Sequence, residues 1–407
     1  MLSGLRVIEL SAFIAAPFCG LTLAQLGADV IRIDPPGGNI DIARAPLAPT
    51  GRSLYWAFLN AGKRSVELDV RHPAGRRLLG RLLGGGGPDG GILVTNLPLG
   101  EGELSYESLC RDRCDLIMLR LTGSPDGGSE VDYTVNAGVG FPGLTGRSDE
   151  GPTNHVLPAW DVLTGLMLAN ALLVAERTRR RSGTGKLISL ALSDIAMWTT
   201  SNLAYIADVQ VNAAARGRDG NFLYGAYGDA FRTSDDRHVM VVAISDRQWK
   251  ALLKAVKLER EIDEAARALG YSLDEEHGRY AARHFISACL RPWFSRRTLA
   301  DVEATLRAAR VLFGVYRDFR QMLHEDSRCS EDNPMFARVE HPDIGTVLTA
   351  GSPLNFGARR PPASAPRFGA DTTRVLQEAG VSDVEIGDLA RQGVVGHGRM
   401  EHEWRNS

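Results

Sequence analysis

Cysteine is scarce in this chain. The five present (Cys19, Cys110, Cys114, Cys289 and Cys329) are odd in number and scattered through 407 residues. They argue against a disulfide framework and read as reduced thiols of a cytoplasmic protein. Excess charge is equally lacking. A net charge of −2 gives no surface suited to nucleic acid or an anionic membrane, so neither is expected as a partner. No apolar run reaches the roughly eighteen residues that would span a bilayer. The opening MLSGLRVIEL has no basic stretch and reads as a strand, so no secretory leader is expected.

Several chemical motifs are also missing. Cys110 and Cys114 are four apart with no second cysteine or histidine pair nearby, and there is no H-E-x-x-H; packing suits these thiols better than zinc. The turn after the first strand, SAFIAAPFCG, lacks the G-x-G-x-x-G that lets a backbone approach a pyrophosphate, which argues against nicotinamide or flavin. No G-x-S-x-G elbow is found. His397 and His402 sit in a polar tail and read as solvated.

What is present is alternation. LRVIEL (5–10), VIRID (30–34), SVELDV (65–70), ILVTN (92–96) and LIMLRL (116–121) are apolar strand runs. Helical stretches fall between them, one ending near Gly27 and one from Pro73 to Leu83. This order implies an α/β fold with a Rossmann-like parallel sheet covered by helices. The GGGG run at 84–87 follows a helix and precedes a strand, the reverse of a phosphate loop, and reads as a connection. VLTGLMLANALLVA (162–175) is apolar nearly all round, as a buried helix would be. The arginine run after it reads as a solvated helix end with Gly183 as cap. LISLAL (187–192) returns as a strand.

The length suggests more than one packing unit. We expect a large domain over 1–211, a smaller α+β domain over 212–330, and a segment 331–407 that rejoins the first. The second opens on GRDGNFLYGAYG, a glycine- and aromatic-rich loop. Within the large domain Asp161 stands where a proline-containing loop meets the apolar helix. An N-cap is the plainest role for it, and Thr164 cannot complete a capping box. The same position suits a nucleophile, because a helix N-terminus favours the ionised carboxylate.

Four ordered blocks carry a resemblance: LSGLRVIELSAFIAAPFCGLTLAQLGADVIRIDPPGG, LNAGKRSVELDVRHPAGRRLL, ILVTNLPLG and PAWDVLTGLMLANALLVAER. Together they resemble family III CoA-transferases, the CaiB/BaiF type. GGSEVDYTVN, GNFLYGAYG, DNPMFARVEHP and GSPLNF are similar to the branch that moves CoA between the C1 and C4 carboxyls of mesaconate. The resemblance implies an interlocked homodimer, a CoA thioester as substrate rather than a bound cofactor, and a small carboxylic acid as acyl partner. It places Asp161 at the catalytic aspartate and Lys63, Leu68 and Arg71 at the adenine–phosphate end of CoA. Asn96 and Tyr133 fall at further active-site positions. Two departures stand out. Pro35 replaces the basic residue that the family carries after the second strand, and the family's glycine-run loop is not recognisable; by the resemblance, Gly220, Gly225 and Gly228 of GNFLYGAYG stand in as the covering loop. An intermolecular transferase with another donor and acceptor is the alternative. A racemase of the same family needs a histidine that SEVDYT lacks; His155 is the conceivable substitute.

Overall fold

The computed structural model describes residues 1–99, 102–213, 216–357 and 359–396; His397 and His402 lie outside them. The chain opens with β1 (Arg6–Leu10), α1 (Ala15–Gln25), β2 (Asp29–Asp34), α2 (Leu54–Leu59), β3 (Arg64–Glu67) and α3 (Pro73–Gly84). It continues through β4 (Ile92–Thr95), α4 (Tyr106–Asp112), β5 (Ile117–Thr122), α5 (Asp132–Gly138) and α6 (Phe141–Leu144). The long α7 (Ala159–Ser182) leads to β6 (Lys186–Ala191), α8 (Leu192–Asn202) and α9 (Tyr205–Asn212). After β7 (Tyr227–Arg232) and β8 (His238–Ala243) come five helices: α10 (Asp246–Val256), α11 (Glu259–Ala268), α12 (Glu276–Ala281), α13 (Arg283–Ser295) and α14 (Leu299–Ala308). The chain ends with β9 (Leu312–Val315), α15 (Phe319–Glu325), β10 (Phe336–His341), β11 (Gly345–Ala350), α16 (Thr372–Glu378) and α17 (Asp383–Arg391). Two compact units result. One holds residues 1–140, 155–214 and 327–407; the other holds 141–154 and 215–326.

The first unit is built on six parallel strands in the order β3-β2-β1-β4-β5-β6. That is the doubly wound arrangement, in which the strand order reverses between β1 and β4. The expected Rossmann-like sheet is therefore present. Side chains alternate across it. Ile8, Leu10, Ile31, Ile33, Val66 and Leu68 face one layer with α3, α4, α16 and α17. Val7, Val30, Val94, Ile117 and Leu119 face the other, against α1 and α7. Helix boundaries follow local chemistry. His72 accepts from Ala74 N and Pro73 occupies the first turn of α3. Gly27, at φ +103, turns the chain from α1 into β2.

Two expectations need correction. β3 stops at Glu67 because Asp69 N bonds Val394 O, and Leu68 forms a bridge with Val395 near the C-terminus. Near the end of the described chain, Gly380 at φ +78 separates α16 from α17. The run 162–175 lies inside a 24-residue helix that is long and apolar enough to cross a membrane by length and composition. One face of α7 packs instead on α1 through Leu168, Ala169, Leu172 and Ala175. Leu163, Leu166 and Val174 remain exposed, so α7 is buried on one side only.

The second unit folds around the antiparallel sheet β7-β8-β9. Its core gathers Tyr227, Phe231, Trp249, Ile286 and Phe294, with the Phe231 and Phe294 rings stacked at 4.3 Å.

Candidate active site

The crevice where an open parallel sheet reverses its order lies outside the strand carboxyl ends, the usual ligand site of such folds. Here Asn96, one residue past β4, reaches across that reversal to the loop after β1. Its Oδ1 accepts from Ala12 N at 2.9 Å and its Nδ2 donates to Ala12 O at 2.8 Å. Beside it a cleft of about 600 Å³ opens at the ends of β1 to β4, lined by Leu10, Pro35, Leu68, Arg71, Leu97 and Arg76 among others. Leu68 supplies apolar wall. Arg71 stands on the rim, its side chain 81% exposed and paired with Asp69 at 2.9 Å. The cleft is mostly apolar with a few cationic and polar groups, the make-up of a small-molecule site.

Lys63, which the resemblance sets at the adenine–phosphate end of CoA, lies in the interior. It is 4% exposed. Its ammonium donates to Glu9 Oε1 at 3.0 Å, Pro17 O at 2.8 Å and Asn60 Oδ1 at 3.0 Å, which spends its three protons. Arg32 lies in the same buried cluster, bidentate on Asp34 at 2.9 and 2.7 Å and bonded to Glu9 and Ser11. Glu9 and Arg32 are direct neighbours across β1 and β2. Asp41 closes the cluster, accepting from Phe13 N at 3.0 Å, and burial pushes its carboxyl up from the usual range. The arginine run in the last turn of α7 is also not wholly solvated. Arg179 is buried and donates to Gly90 O at 2.6 Å.

Asp161 sits in the first turn of α7, the third helical residue after the N-cap Pro158. It is not the cap. That work falls to Asp132 at the start of α5, whose Oδ2 accepts from Trp160 N at 2.8 Å and Asp161 N at 3.1 Å. One turn along α5, Asn136 accepts from Trp160 Nε1 at 3.1 Å, so α5 grips the start of α7 twice. The Asp161 carboxyl is half-buried. Burial, and then the Asp132 charge, pushes it up to about 7. The helix dipole therefore does not hold it ionised as its position suggests; desolvation outweighs the dipole.

Tyr55 on α2 is the other neighbour that the sequence did not single out. Its hydroxyl is buried with no hydrogen-bond partner, and burial together with the Asp161 charge pushes it up to about 12, against the opposing pull of Arg44. The Arg44 guanidinium lies over the Tyr55 and Phe13 rings, 5.2 and 5.7 Å from their centroids. Asp132 and Asn136, four apart in DYTVN, were visible as a one-turn pair on one helix face. Tyr133, between them, is 51% exposed. His155 bonds Leu157 O through Nδ1. In the second unit Gly220 and Gly225 take φ of +59 and +77. Gly228 is not part of that loop. It pairs with Val242 inside β7, and a Cβ there would meet Leu223 Cβ at 3.0 Å.

The doubly wound sheet and the shielded carboxylate define an α/β enzyme with an acidic side chain at its candidate centre. More closely, the chain belongs to CoA-transferase family III, whose pattern residues 2–372 match. It is 50% identical over 400 residues to the 2-methylfumaryl-CoA isomerase of Chloroflexus aurantiacus, covering 97% of this chain and 98% of that protein. It is 28% identical to the succinyl-CoA:mesaconate CoA-transferase of Haloarcula marismortui, over 93% and 96% of the two chains. Among solved structures, a CaiB/BaiF family protein from Brucella suis shares the fold with a TM-score of 0.78 at 24% identity, over 93% of this chain and 99% of that one.

Proposed function

We propose that the protein moves CoA between the two carboxyl groups of one small dicarboxylic acid, in the first instance from C1 to C4 of mesaconyl-CoA. The half-buried Asp161, in a chain half identical to a 2-methylfumaryl-CoA isomerase, carries the reading. In this scheme an Asp161 oxygen attacks the C1 thioester carbonyl, the C–S bond breaks, and CoA leaves as thiolate. The thiolate attacks the aspartyl carbonyl of the resulting anhydride, which frees the acid and leaves CoA on Asp161. The C4 carboxylate then attacks this aspartyl thioester, expelling the thiolate again. Attack of the thiolate on the C4 acyl carbon of the second anhydride restores the Asp161 carboxylate. No proton is gained or lost overall.

A carboxylate attacks a thioester poorly in water. Holding the two groups in line supplies effective molarities of roughly 10⁵ M or more, and exclusion of water protects each anhydride. The apolar cleft with Arg71 at its rim suits the adenine nucleotide of CoA, with Leu68 against the base. Asn96 acts indirectly in this reading, by fixing the loop after β1. Tyr55, with its buried hydroxyl unpaired, suits a donor to a substrate oxygen, and Tyr133 suits a contact to the acyl group. The five free thiols fit a cytoplasmic setting. The exposed apolar side chains of α7 to α9, with Trp198 55% exposed, fit the expected homodimer.

The test is incubation with mesaconyl-C1-CoA alone, with the regioisomers followed by chromatography. The C4 thioester should form without any added acid, and hydroxylamine should trap Asp161. An absolute need for a second acid would support the intermolecular alternative instead, the activity that the name of the Haloarcula relative describes.

A further inference from the structure

The amides at the start of α7 have a consequence for the nucleophile. A helix N-terminus normally offers four free N–H groups, and a carboxylate in the first turn takes them or is stabilised by them. A carboxylate that accepts several amides becomes a weak base. Around Asp161 each donor is committed elsewhere. Pro158, the N-cap, has no N–H for a third-position side chain to fold back upon. Ala159 N bonds Leu157 O at 2.8 Å, and Val162 N bonds Pro158 O at 3.1 Å. Trp160 N and Asp161 N both go to Asp132 Oδ2.

We infer that Asp132 is a positioning residue for the nucleophile. It fixes the first turn of α7 and takes the two amides that would otherwise stabilise the Asp161 anion, so that Asp161 stays a strong nucleophile. The inference rests on the proposed role of Asp161. Asp132 is 3% exposed, and its Oδ1 is buried without a hydrogen-bond partner, so its charge is little screened from its neighbour. The titratable groups on the elements around Asp161 are few. They include Asp132 and Tyr133 on α5, Tyr55 on α2 with Arg44 over its ring, Cys19 buried on α1 beside Glu9 and Lys63, Asp194 on α8, and His155 in the loop before α7. Asp132 alone of these acts on the Asp161 charge, after burial itself.

The experiment is the pH dependence of kcat/KM for mesaconyl-C1-CoA, with hydroxylamine trapping of Asp161 run in parallel. The wild-type rate should rise through a limb near 7. Asp132→Asn keeps an acceptor oxygen for both amides but removes the charge. Its limb should move to lower pH by about one unit, yet stay above the ordinary aspartate range because burial remains. Asn136→Ala loosens the same helix contact without touching a charge, and should lower the rate at every pH with the limb in place. Should Asp132→Asn not fold, Asp132→Ser supplies another uncharged acceptor and the same shift is expected. An Asp132→Asn limb that stays where the wild type's lies overturns the inference, as does a wild-type limb near 4. Failure to trap Asp161 in the wild type instead overturns the proposed function itself. Trapping with an unmoved limb defeats the inference alone.

Discussion

Replacing Asp161 by asparagine should abolish CoA migration and yet stabilise the protein, by an amount that grows with pH. The folded chain holds the Asp161 proton up to about 7, against an ordinary value of 3.8. Between those values the folded state binds more protons than the unfolded state, so stability falls as pH rises. Below about 4 both states hold the proton and nothing is lost. Above about 7 both have released it, and the full cost of the buried anion is present. Three pH units at about 1.4 kcal/mol each set that cost at roughly 4 kcal/mol at most. Asparagine has the same shape and cannot ionise, so the cost vanishes in the variant.

Urea unfolding of both proteins at pH 5, 6, 7 and 8 isolates the effect, because every other group titrates alike and cancels in the difference. The variant's advantage should grow by about 2 to 3 kcal/mol between pH 5 and pH 8. Any constant cost of placing an amide at the site shifts the whole curve without changing its slope. A difference that stays flat to within about 0.5 kcal/mol would show that Asp161 titrates as an ordinary aspartate and refute the reasoning.

Lys63→Met leaves Glu9 buried with one cation fewer and should cost about 3 kcal/mol or more, read as a lower urea midpoint. Arg71→Ala removes an exposed side chain; stability should stay within about 0.5 kcal/mol, while KM for the acyl-CoA rises and its salt dependence weakens. Gly165→Ala would bring a Cβ to 2.7 Å from Ala15 O and 3.0 Å from Phe18 Cβ. It should push α7 off α1, cost about 1 to 3 kcal/mol, and lower kcat through the displaced Asp161. Asn96→Ala unpairs Ala12 N and O and should cost about 1 to 3 kcal/mol, with KM for the acyl-CoA rising in a steady-state assay.

The sheet was legible because its strands are buried on both faces. LRVIEL, VIRID and ILVTN are nearly continuous apolar runs, the mark of a parallel sheet. Helix ends were legible where a single residue decides them, as at Gly27 and Pro73. The charges were not. Arg32 and Lys63 look like surface cations in the sequence, and whether they are buried depends on Glu9, which lies 23 and 54 residues away. One signal was present in hindsight. Glutamate and arginine each follow a Val-Ile pair in the first two strand runs, and a parallel pairing sets them opposite one another. Asp161 was singled out, but its environment was misread. The cap comes from Asp132, on a different helix, and no local pattern around PAWDVLTG reveals it.

The buried cluster under the crevice bears on the same chemistry. Glu9, Asp34 and Asp41 carry one more negative charge than Arg32 and Lys63 can balance, and Asp41 Oδ1 is buried without a partner. Such clusters are poor sources of stability, since desolvation consumes most of the attraction. Their contribution here is geometric. Asp41 holds Phe13 N and Asn96 holds Ala12 on both sides. Between these clamps Phe13 takes φ +63, a left-handed backbone that costs an aromatic residue about 1 kcal/mol or more. A strained turn persists only when its surroundings over-determine it. The clamps that do so tie the loop after β1 to the sheet's reversal point. That loop in turn presents Phe13 to Arg44, which also covers Tyr55, the α2 neighbour of Asp161. The rigid core is thus linked through four residues to the edge of the reaction site. A protein that gives up stability both there and at the Asp161 anion is trading it for a loop and a carboxylate that need not move when the thioester arrives.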